Sequence, residues 1–454
     1  MEQKREHFGS RFTVIMAMAG AAIGLGNIWR FPYMVGEHGG AAFIIVYILA
    51  TLIISLPVFI SEVIIGRRSA TSAYGAMSKL APGKVWVAAG YLPVLIPMII
   101  TSYYSVVGGW SLDFLVKSFS GAFTSSTPDA VTGLFGDFVS STWTPVLAHL
   151  IFLAACGIVI ALGVTSGIEK FSKLTIPALF VLVVVIMVYS LNLPGAKPGV
   201  TYLIKPDLSQ LTPQTFAYAM GQSFFSLSLG MGAIITYGSY VSKKENVLAS
   251  SGFTAFFDVL FAILAGFAIM PAVFAADVEP GAGPGLIFQT IPFVFAKMGA
   301  SMPLVSNIIA VIFFVTIIVA AMTSTMCMYE VGVAYLIEHS NIKRGRASVW
   351  VFLLCGITGV FCSLSLGPLQ GLKIGSRSLF DFFDWFSSNI LLTLAGFLSV
   401  FFVGWIMKKK DVEDEFTNGG TLRSSKPWFK VFYFLARYIA PAAVIIIFIT
   451  NFIL

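Results

Sequence analysis

Long apolar stretches separated by short polar segments run through the whole chain. A helix that crosses a bilayer needs roughly 20 apolar residues, and about eleven stretches of that length can be placed along this sequence. They lie near residues 11–35, 42–66, 86–116, 144–164, 168–193, 213–241, 250–276, 300–337, 347–364, 378–407 and 428–453. The pattern predicts an all-α polytopic membrane protein with a single domain over residues 1–454.

Glycines interrupt two of these stretches at corresponding positions, about midway along the first and the sixth. They are Gly20, Gly24 and Gly26 in the first stretch and Gly230 and Gly232 in the sixth. Because the two stretches stand five spans apart, each is the first span of a five-span half. An odd number of spans makes the second half enter the membrane from the opposite side, so the two halves have inverted topologies. Inverted repeats with broken helices at the bilayer midplane are typical of transporters, in which the exposed helix ends bind anionic groups and cations.

This spacing predicts a five-plus-five inverted repeat. Repeat one covers about residues 11–193, repeat two about residues 213–407, and an extra eleventh helix about residues 428–453. The alternative is that the glycines only allow unbroken helices to pack closely. Two carboxylates favour the broken helices, since Glu62 and Asp258 lie midway along apolar spans, where an ionisable residue indicates a functional site.

Composition agrees with a membrane protein, because 57% of the residues are hydrophobic and only 11% are charged. The net charge of +7 does not indicate a nucleic-acid partner, since the basic residues occupy short loops beside the spans, and every second loop is basic. By the positive-inside rule the N-terminus is cytoplasmic, and an odd number of spans then places Leu454 outside. Lipid is the expected surrounding, and no obligatory protein partner is evident.

The sequence gives little indication of a cysteine-ligated metal site or of catalysis. The cysteines all lie in apolar spans without metal-ligand spacing, so we interpret them as packing residues. Glu62 and Asp258 could form the carboxylate pair of a membrane-embedded enzyme, but no nucleophile, metal set or phosphate loop accompanies them. We therefore predict that the protein is not an enzyme.

Oxygen-bearing groups stand near both glycine interruptions. Asn27 follows the first, Ser226 and Ser228 precede the second, and Thr323 and Ser324 interrupt the apolar eighth span. Oxygen donors suit a hard cation such as sodium. The alternative for the hydroxyls is a bond to a carbonyl of their own helix.

Two motifs resemble signatures of the leucine-transporter-like neurotransmitter:sodium symporters. Residues 19–27 with 29–33 are similar to the first-span signature of that family, and residues 221–230 to its sixth-span signature. The resemblance runs from Lys4 to the tenth span, and the chain ends before a twelfth span, as in bacterial members with eleven. It implies an integral protein of the bacterial plasma (inner) membrane.

The resemblance implies two sodium sites. The first would consist of Ala22, Asn27, Ser226, Asp258 and the carboxylate of the substrate, and the second of Gly20, Ile23, Ala320, Thr323 and Ser324. The family usually has asparagine where this chain has Asp258. A fixed carboxylate there would make chloride unnecessary, since Ala262, one turn later, offers no charge.

The resemblance also implies a pocket for an amino acid. Tyr104 and the backbone amides near Leu25 and Gly26 would bind the carboxylate. The remaining lining would be Ala22, Gly24, Ile100, Phe225, Ser226, Ser228, Met231, Ser324 and Met328. Relatives that carry amines without a carboxylate have an acidic residue where this chain has Gly24. The apolar lining with its adaptable methionines therefore favours several hydrophobic amino acids, aliphatic and aromatic, including leucine and tryptophan.

Gates and helix-unwinding positions follow from the same resemblance. The outer gate would be Arg30 facing Asp384 with Gln222 nearby, and the inner gate Arg5 facing Glu338 with Phe8, Ser239 and Tyr240 around it. The family usually has aspartate at Glu338 and tryptophan at Phe8. Glu62 would hold the unwound backbone, and Gly167 and Pro177 would mark where the fifth span unwinds, since an interior proline weakens a helix.

The expected function is sodium-coupled symport of hydrophobic L-amino acids into the cell by alternating access, without chloride. The rival is an amino-acid sensor of the same fold that binds its ligand without moving it. Gly167, Pro177 and Arg5 argue for transport, because a sensor has no need of a cytoplasmic gate.

Overall fold

The computed structural model describes residues 7–124, 127–277 and 287–453, and their secondary structure is helical apart from one short hairpin. Nine unbroken helices in these ranges are long and apolar enough to cross a membrane. They are Ala41–Ser69, Lys84–Phe119, Trp143–Ala161, Val164–Leu191, Val247–Ala275, Pro303–Ser340, Arg344–Leu364, Leu379–Ile406 and Arg423–Thr450. They are the second to fifth and seventh to eleventh predicted spans, so the all-α polytopic prediction is confirmed.

The first and sixth spans are each broken into two helices, as predicted. The first consists of Arg11–Ala22 and Gly26–Glu37, which meet at a bend of 55°. The sixth consists of Pro213–Ser226 and Ala233–Gly238. The alternative, in which the glycines only allow unbroken helices to pack closely, is therefore wrong.

Shorter elements connect the spans. The connecting helices are Ala73–Leu80, Pro128–Ser140, Lys197–Ile204, Leu208–Gln210, Thr290–Gly299 and Lys409–Thr417. A hairpin pairs strands Lys373–Ile374 and Arg377–Ser378 in antiparallel register before the tenth span. Several spans contain π-helical turns, at Gly26–Arg30, Thr51–Ser55, Val164–Glu169, Phe386–Leu391, Phe402–Ile406 and Leu435–Ile439.

Side chains replace helical carbonyls at the break of the first span. The regular ladder continues to the bond from the Ile23 amide to the Ala19 carbonyl, at 2.6 Å. The next amides turn away, since the Gly24 N–H donates to Asn27 Oδ1 and the Leu25 N–H donates to the Tyr104 hydroxyl, both at 3.0 Å. These two buried amides keep a partner this way, and carbonyls of the preceding turn are released from the helix.

Left-handed backbone produces the break in the sixth span. Gly230 and Gly232 have φ angles of +80° and +69°, and Ser228 has +54°. A Cβ atom on Gly230 would lie 2.3 Å from the Leu392 carbonyl oxygen, so glycine is required there for space as well as for conformation. The Gly230 N–H donates to Glu62 Oε1 at 2.9 Å, and Glu62 thus contacts the unwound backbone of this span.

The broken spans lie at the centre of the bundle. Met18, Ala19 and Ile23 are fully buried, whereas large side chains such as Trp143 and Leu174 are more than 70% exposed on the outside. Apolar side chains on the outer surface suit a lipid environment, in which the polar backbone of the breaks has to be shielded by protein.

Candidate functional site

One polar cluster surrounds the Asp258 carboxylate between the two breaks. Asn27 Nδ2 donates to Asp258 Oδ1 at 2.7 Å, and Ser226 Oγ lies 2.9 and 2.8 Å from the two carboxylate oxygens. The Tyr47 hydroxyl also donates to Asp258 Oδ2, at 3.3 Å. All four side chains are buried. The sequence analysis did not include Tyr47, because a tyrosine in an apolar span gives no signal of its own.

A second polar cluster joins the eighth span to the first break. Thr323 Oγ1 donates to the Ile23 carbonyl at 3.2 Å and to the Ala320 carbonyl of its own helix at 2.9 Å. Ser324 Oγ reaches the same Ile23 carbonyl at 3.4 Å. Thr323 therefore bonds both within its own helix and across to the break, whereas Ser324 bonds across to the break, and their role as sodium ligands stays a prediction. Carbonyl and hydroxyl oxygens of this kind fit a hard cation.

Gly20 lies beside this second cluster. The amide that would complete its helical hydrogen bond belongs to Gly24 and donates to Asn27 instead. A Cβ atom on Gly20 would stand 3.6 Å from Thr323 Cβ. The structure therefore places Gly20 beside Thr323, another predicted residue of the second sodium site.

A small cavity of about 20 Å³ separates the two breaks. It is lined by Ala22, Gly24, Gly26, Ile100, Tyr104, Phe225, Ser226, Ser228, Met231, Ser324 and Met328. These are the predicted substrate residues except Leu25, which faces a larger cavity instead. The space holds about one water, so an amino acid can enter only if the walls move apart.

The larger cavity is an open vestibule of about 650 Å³, and its lining includes both Arg30 and Asp384. Tyr104 and Phe225 line the vestibule and the small cavity alike, so they form the partition between them. The Arg30 guanidinium lies 4.8 Å from the centroid of the Phe225 ring. Within the described ranges Arg30 and Asp384 form no ion pair, so the predicted outer pair is not in contact in this structure.

Gln222, the third predicted residue of the outer gate, is buried beneath the vestibule. Its Nε2 donates to the Gly26 carbonyl at 3.1 Å. The contact joins the sixth span to the second half of the first span. Gln222 is thus placed to keep the two broken helices together, and its role in the outer gate stays a prediction.

Aromatic packing closes the opposite end of the bundle. The Phe8 ring meets the rings of Tyr237 and Tyr240 edge-on, at 5.9 and 6.0 Å between centroids. The Phe8 N–H also donates to the Tyr240 carbonyl at 3.1 Å. Phenylalanine therefore packs at the position where the family usually has tryptophan.

Two other predicted inner-gate residues have local partners. The Glu338 carboxylate accepts from the Ser72 N–H at 2.9 and 2.7 Å, and Ser239 Oγ donates to the Thr236 carbonyl. Arg5 lies outside the described residues. The pairing of Arg5 with Glu338 therefore stays a prediction.

A buried carboxylate that sequence reasoning missed lies at the end of the bundle that Phe8 closes. Glu330 accepts from the Tyr240 hydroxyl at 2.7 Å and from both terminal nitrogens of Arg344, at 2.7 and 2.8 Å. An acid within the apolar eighth span was a visible signal, comparable with Glu62. Its arginine belongs to the next span, however, and no local pattern indicates that pairing.

The fifth span begins with a π-helical turn at Val164–Glu169 and continues through Pro177 as one helix. Gly167 lies in this turn, and a Cβ atom there would stand 2.1 Å from the Val159 carbonyl oxygen. The segment predicted to unwind is therefore helical here, with a wider first turn. Its unwinding stays a prediction.

An ion-pair cluster at the same end joins the second span to the connecting helix Lys409–Thr417. Arg67 Nε donates to Glu415 Oε2 at 2.8 Å and Arg67 Nη1 to the Glu245 carbonyl at 2.7 Å. The Arg67 and Glu415 side chains are only 1% and 5% exposed. Burial alone would raise the pKa of Glu415, but the charges of Arg67 and Lys243 hold that pKa below its ordinary value of 4.5. We call this contact the Arg67–Glu415 clamp.

Comparisons with known proteins cover nearly the whole chain. The model of the sodium:neurotransmitter symporter family matches residues 5–131 and 138–454. An uncharacterised sodium-dependent transporter of Bacillus subtilis (strain 168) is 35% identical over 448 residues, which are 99% of this chain and 98% of the relative. A sodium- and chloride-dependent taurine transporter of Canis lupus familiaris is 28% identical, with 94% and 75% covered. The crystal structure of MhsT in complex with L-phenylalanine matches with a TM-score of 0.89 and 38% identity, over 99% of this chain and 100% of that chain.

Proposed function

The chain belongs to the sodium:neurotransmitter symporter family, and from that premise we propose that it carries hydrophobic L-amino acids into the cell. It is a sodium-dependent symporter and an integral membrane protein. The proposed cargo includes aliphatic and aromatic amino acids, among them leucine and tryptophan. A relative of 38% identity is described in complex with L-phenylalanine, which supports this choice.

The crowding around Gly24 is the observation that carries the proposal. A Cβ atom on Gly24 would lie 2.1 Å from Ser324 Oγ and 3.0 Å from the Tyr104 hydroxyl. An acidic side chain that could pair with the ammonium of a simple amine therefore has no room in the cavity. The Tyr104 hydroxyl accepts the Leu25 N–H, which leaves its own proton available for a carboxylate. A substrate that brings a carboxylate satisfies this site.

Two sodium ions are proposed to accompany the substrate. The oxygens of Ala22, Asn27, Ser226 and Asp258, with the substrate carboxylate, suit the first ion. Those of Gly20, Ile23, Ala320, Thr323 and Ser324 suit the second. Sharing of the substrate carboxylate with the first ion would couple the two binding events by direct contact.

Chloride is proposed to be unnecessary for transport. Asp258 supplies a fixed negative charge inside the first sodium site, and three donors, from Asn27, Ser226 and Tyr47, hold its carboxylate in place. An additional anion is then not required to balance the cation.

Alternating access is proposed to use the two ends of the bundle in turn. Tyr104 and Phe225 would close above the substrate while Arg30 approaches Asp384 across the vestibule. At the other end, Arg5 would leave Glu338 and the fifth span would unwind between Gly167 and Pro177. In the proposed topology this inner end and the N-terminus are cytoplasmic, and the C-terminus is extracytoplasmic.

Substrate selection provides the test of this proposal. Purified protein in proteoliposomes would be given labelled leucine, tryptophan and phenylalanine, and in parallel taurine and tryptamine, under an inward sodium gradient. Accumulation of the three amino acids alone is expected, because tryptamine lacks the carboxylate and taurine the apolar side chain. Accumulation of tryptamine at the rate of tryptophan would contradict the carboxylate argument, and saturable binding without accumulation would favour a sensor.

A further inference from the structure

Arg437 stands among aromatic rings where the tenth and eleventh spans meet. Its guanidinium carbon lies 4.4 Å from the ring centroid of Trp405, 5.6 Å from that of Tyr438 and 5.9 Å from that of Tyr433. No carboxylate stands within ion-pair distance of Arg437 in residues 7–124, 127–277 and 287–453. A cation inside a membrane span is costly and normally has a partner, so the missing anion requires an explanation.

Backbone contacts fix this arginine in place. The Trp405 indole N–H donates to the Arg437 carbonyl at 2.9 Å, and the Tyr433 hydroxyl bonds the Gly404 carbonyl at 3.2 Å. A Cβ atom on Gly404 would lie 2.8 Å from Arg437 Cα, so glycine allows the two spans to touch there. The guanidinium is thus positioned by the fold, as a ligand-binding group has to be.

Few of the guanidinium donors of Arg437 are used by hydrogen bonds. Arg437 Nη1 reaches the Tyr433 hydroxyl at 3.4 Å, a long contact. Arg437 Nε is buried and has no hydrogen-bond partner in the part of the chain that the structure describes. The planar fork of arginine matches the oxygens of a phosphate group in a two-point contact.

A second cation lies beside one of these rings. Lys409 Nζ lies 5.5 Å from the centroid of the same Tyr433 ring, so Lys409 and Arg437 share one aromatic neighbour. Two acids on the helix that Lys409 begins, Asp411 and Glu415, are already paired with arginines of the second span. The charge of this site is therefore not balanced by those two acids.

The surroundings of the two cations are open and apolar. Phe434, Tyr438 and Trp405 are 55%, 49% and 48% exposed, and Trp405 precedes the end of the tenth span by one residue. Tryptophan and tyrosine concentrate where a bilayer meets water. A ligand at this level can place a charged group on the cations and hydrocarbon against the rings.

We propose that Arg437 and Lys409 bind the phosphate of an anionic phospholipid at the proposed cytoplasmic face of the membrane. Basic clusters beside the cytoplasmic ends of spans attract anionic lipid headgroups. Here the rings of Trp405, Tyr433 and Tyr438 orient the Arg437 guanidinium. The occupant is a lipid rather than a free phosphate, because the exposed rings beside the cations are suited to acyl chains. The site is separate from the ion and substrate cavities and does not depend on the proposed cargo.

Lipid titration of the purified full-length protein in detergent tests this site. Phosphatidylglycerol would be added in steps, with phosphatidylcholine and inorganic phosphate in parallel, and bound lipid would be counted by native mass spectrometry while the melting temperature is followed. Only phosphatidylglycerol is expected to bind with saturation and raise the melting temperature. Equal effects of phosphatidylcholine would refute charge recognition, and equal effects of inorganic phosphate would refute a lipid site.

Substitutions identify the residues involved. Arg437→Gln and Lys409→Gln should each weaken phosphatidylglycerol binding about fivefold, and Arg437→Lys should retain part of it. Lys79→Gln, which removes one exposed charge from the connecting helix Ala73–Leu80, is the matched control and should leave binding unchanged. If Arg437→Gln does not fold, Lys409→Gln decides alone, because Lys409 is exposed. Unchanged affinity in Lys409→Gln, or a loss as large in Lys79→Gln, would overturn the proposal.

Discussion

Replacement of Asp258 by asparagine should convert transport from chloride-independent to chloride-dependent. Asparagine has nearly the same shape as aspartate, so the substitution removes the negative charge and little else. One carboxylate oxygen becomes an NH₂ group, which cannot accept from Asn27, Ser226 or Tyr47 as Asp258 does. The substitution therefore removes the charge beside the proposed first sodium ion and one of its acceptors.

The size of the effect follows from electrostatics. Two unit charges about 4 Å apart gain roughly 4 kcal/mol at an effective dielectric constant near 20. That energy corresponds to about three powers of ten in affinity, which is an upper bound because the pocket can relax and admit water. We therefore expect the apparent sodium affinity to fall by between about tenfold and a thousandfold. Chloride bound near the same position should restore part of the loss.

Sodium-dependent uptake of labelled leucine, measured in chloride and in gluconate, distinguishes the possibilities. Wild type should give the same curve in both media, and Asp258→Asn should be more active in chloride. Asp277→Asn is the control, since Asp277 has a left-handed backbone that asparagine also tolerates and its side chain is 90% exposed. Wild-type uptake that collapses in gluconate would refute the reasoning, and so would a variant that is indifferent to chloride.

Three further predictions concern other parts of the molecule. Replacing Thr323 and Ser324 together by alanine should lower sodium-driven accumulation of labelled leucine at least about tenfold, because it removes two oxygens that would stabilise the ion. An unchanged sodium dependence of uptake would exclude these hydroxyls as ligands. Gly24→Ala should weaken amino-acid binding in a scintillation assay, because the added Cβ would lie 2.1 Å from Ser324 Oγ. An affinity of the variant equal to that of the wild type would show that the cavity is wider than the structure indicates. Arg67→Gln should destabilise the protein by about 1.5 to 3 kcal/mol in denaturant titrations, because Glu415 loses its buried charged donor and keeps only Lys243 and Arg68. Since the folded pKa of Glu415 lies below its ordinary 4.5, the stability from the clamp is complete above about pH 4.5 and is lost as the pH falls through the folded pKa. A melting temperature that does not fall below pH 4.5 would contradict this.

Local sequence signals predicted the breaks but not the long-range contacts. The glycines of the first and sixth spans, together with Glu62, predicted broken helices, and the left-handed backbone at Gly230 and Gly232 gives the physical reason. Arg67 and Glu415 are separated by 348 positions, and only folding brings them together. Periodicity within a span reports which side is apolar, and it carries no information on which distant charge lies opposite.

The site itself depended on resemblance more than on pattern. Polarity alone indicated Asn27 and Asp258, but Ile100 and Met328 are ordinary apolar residues whose place beside the cavity no composition predicts. Tyr47 contacts Asp258 and was missed because the motifs used for the resemblance lie in other spans. Arg30 and Asp384 both line the vestibule, as the resemblance implied, and their pairing across it stays a prediction.

Accumulation against a gradient tests the central claim most directly. Proteoliposomes with the purified protein would be offered labelled leucine or tryptophan under an inward sodium gradient, and compared with vesicles that contain potassium on both sides. Sodium-coupled symport predicts internal concentrations above the external one only with the sodium gradient, and their collapse when the gradient is dissipated. Equal uptake in potassium, or binding without accumulation in vesicles proven tight, would contradict the account.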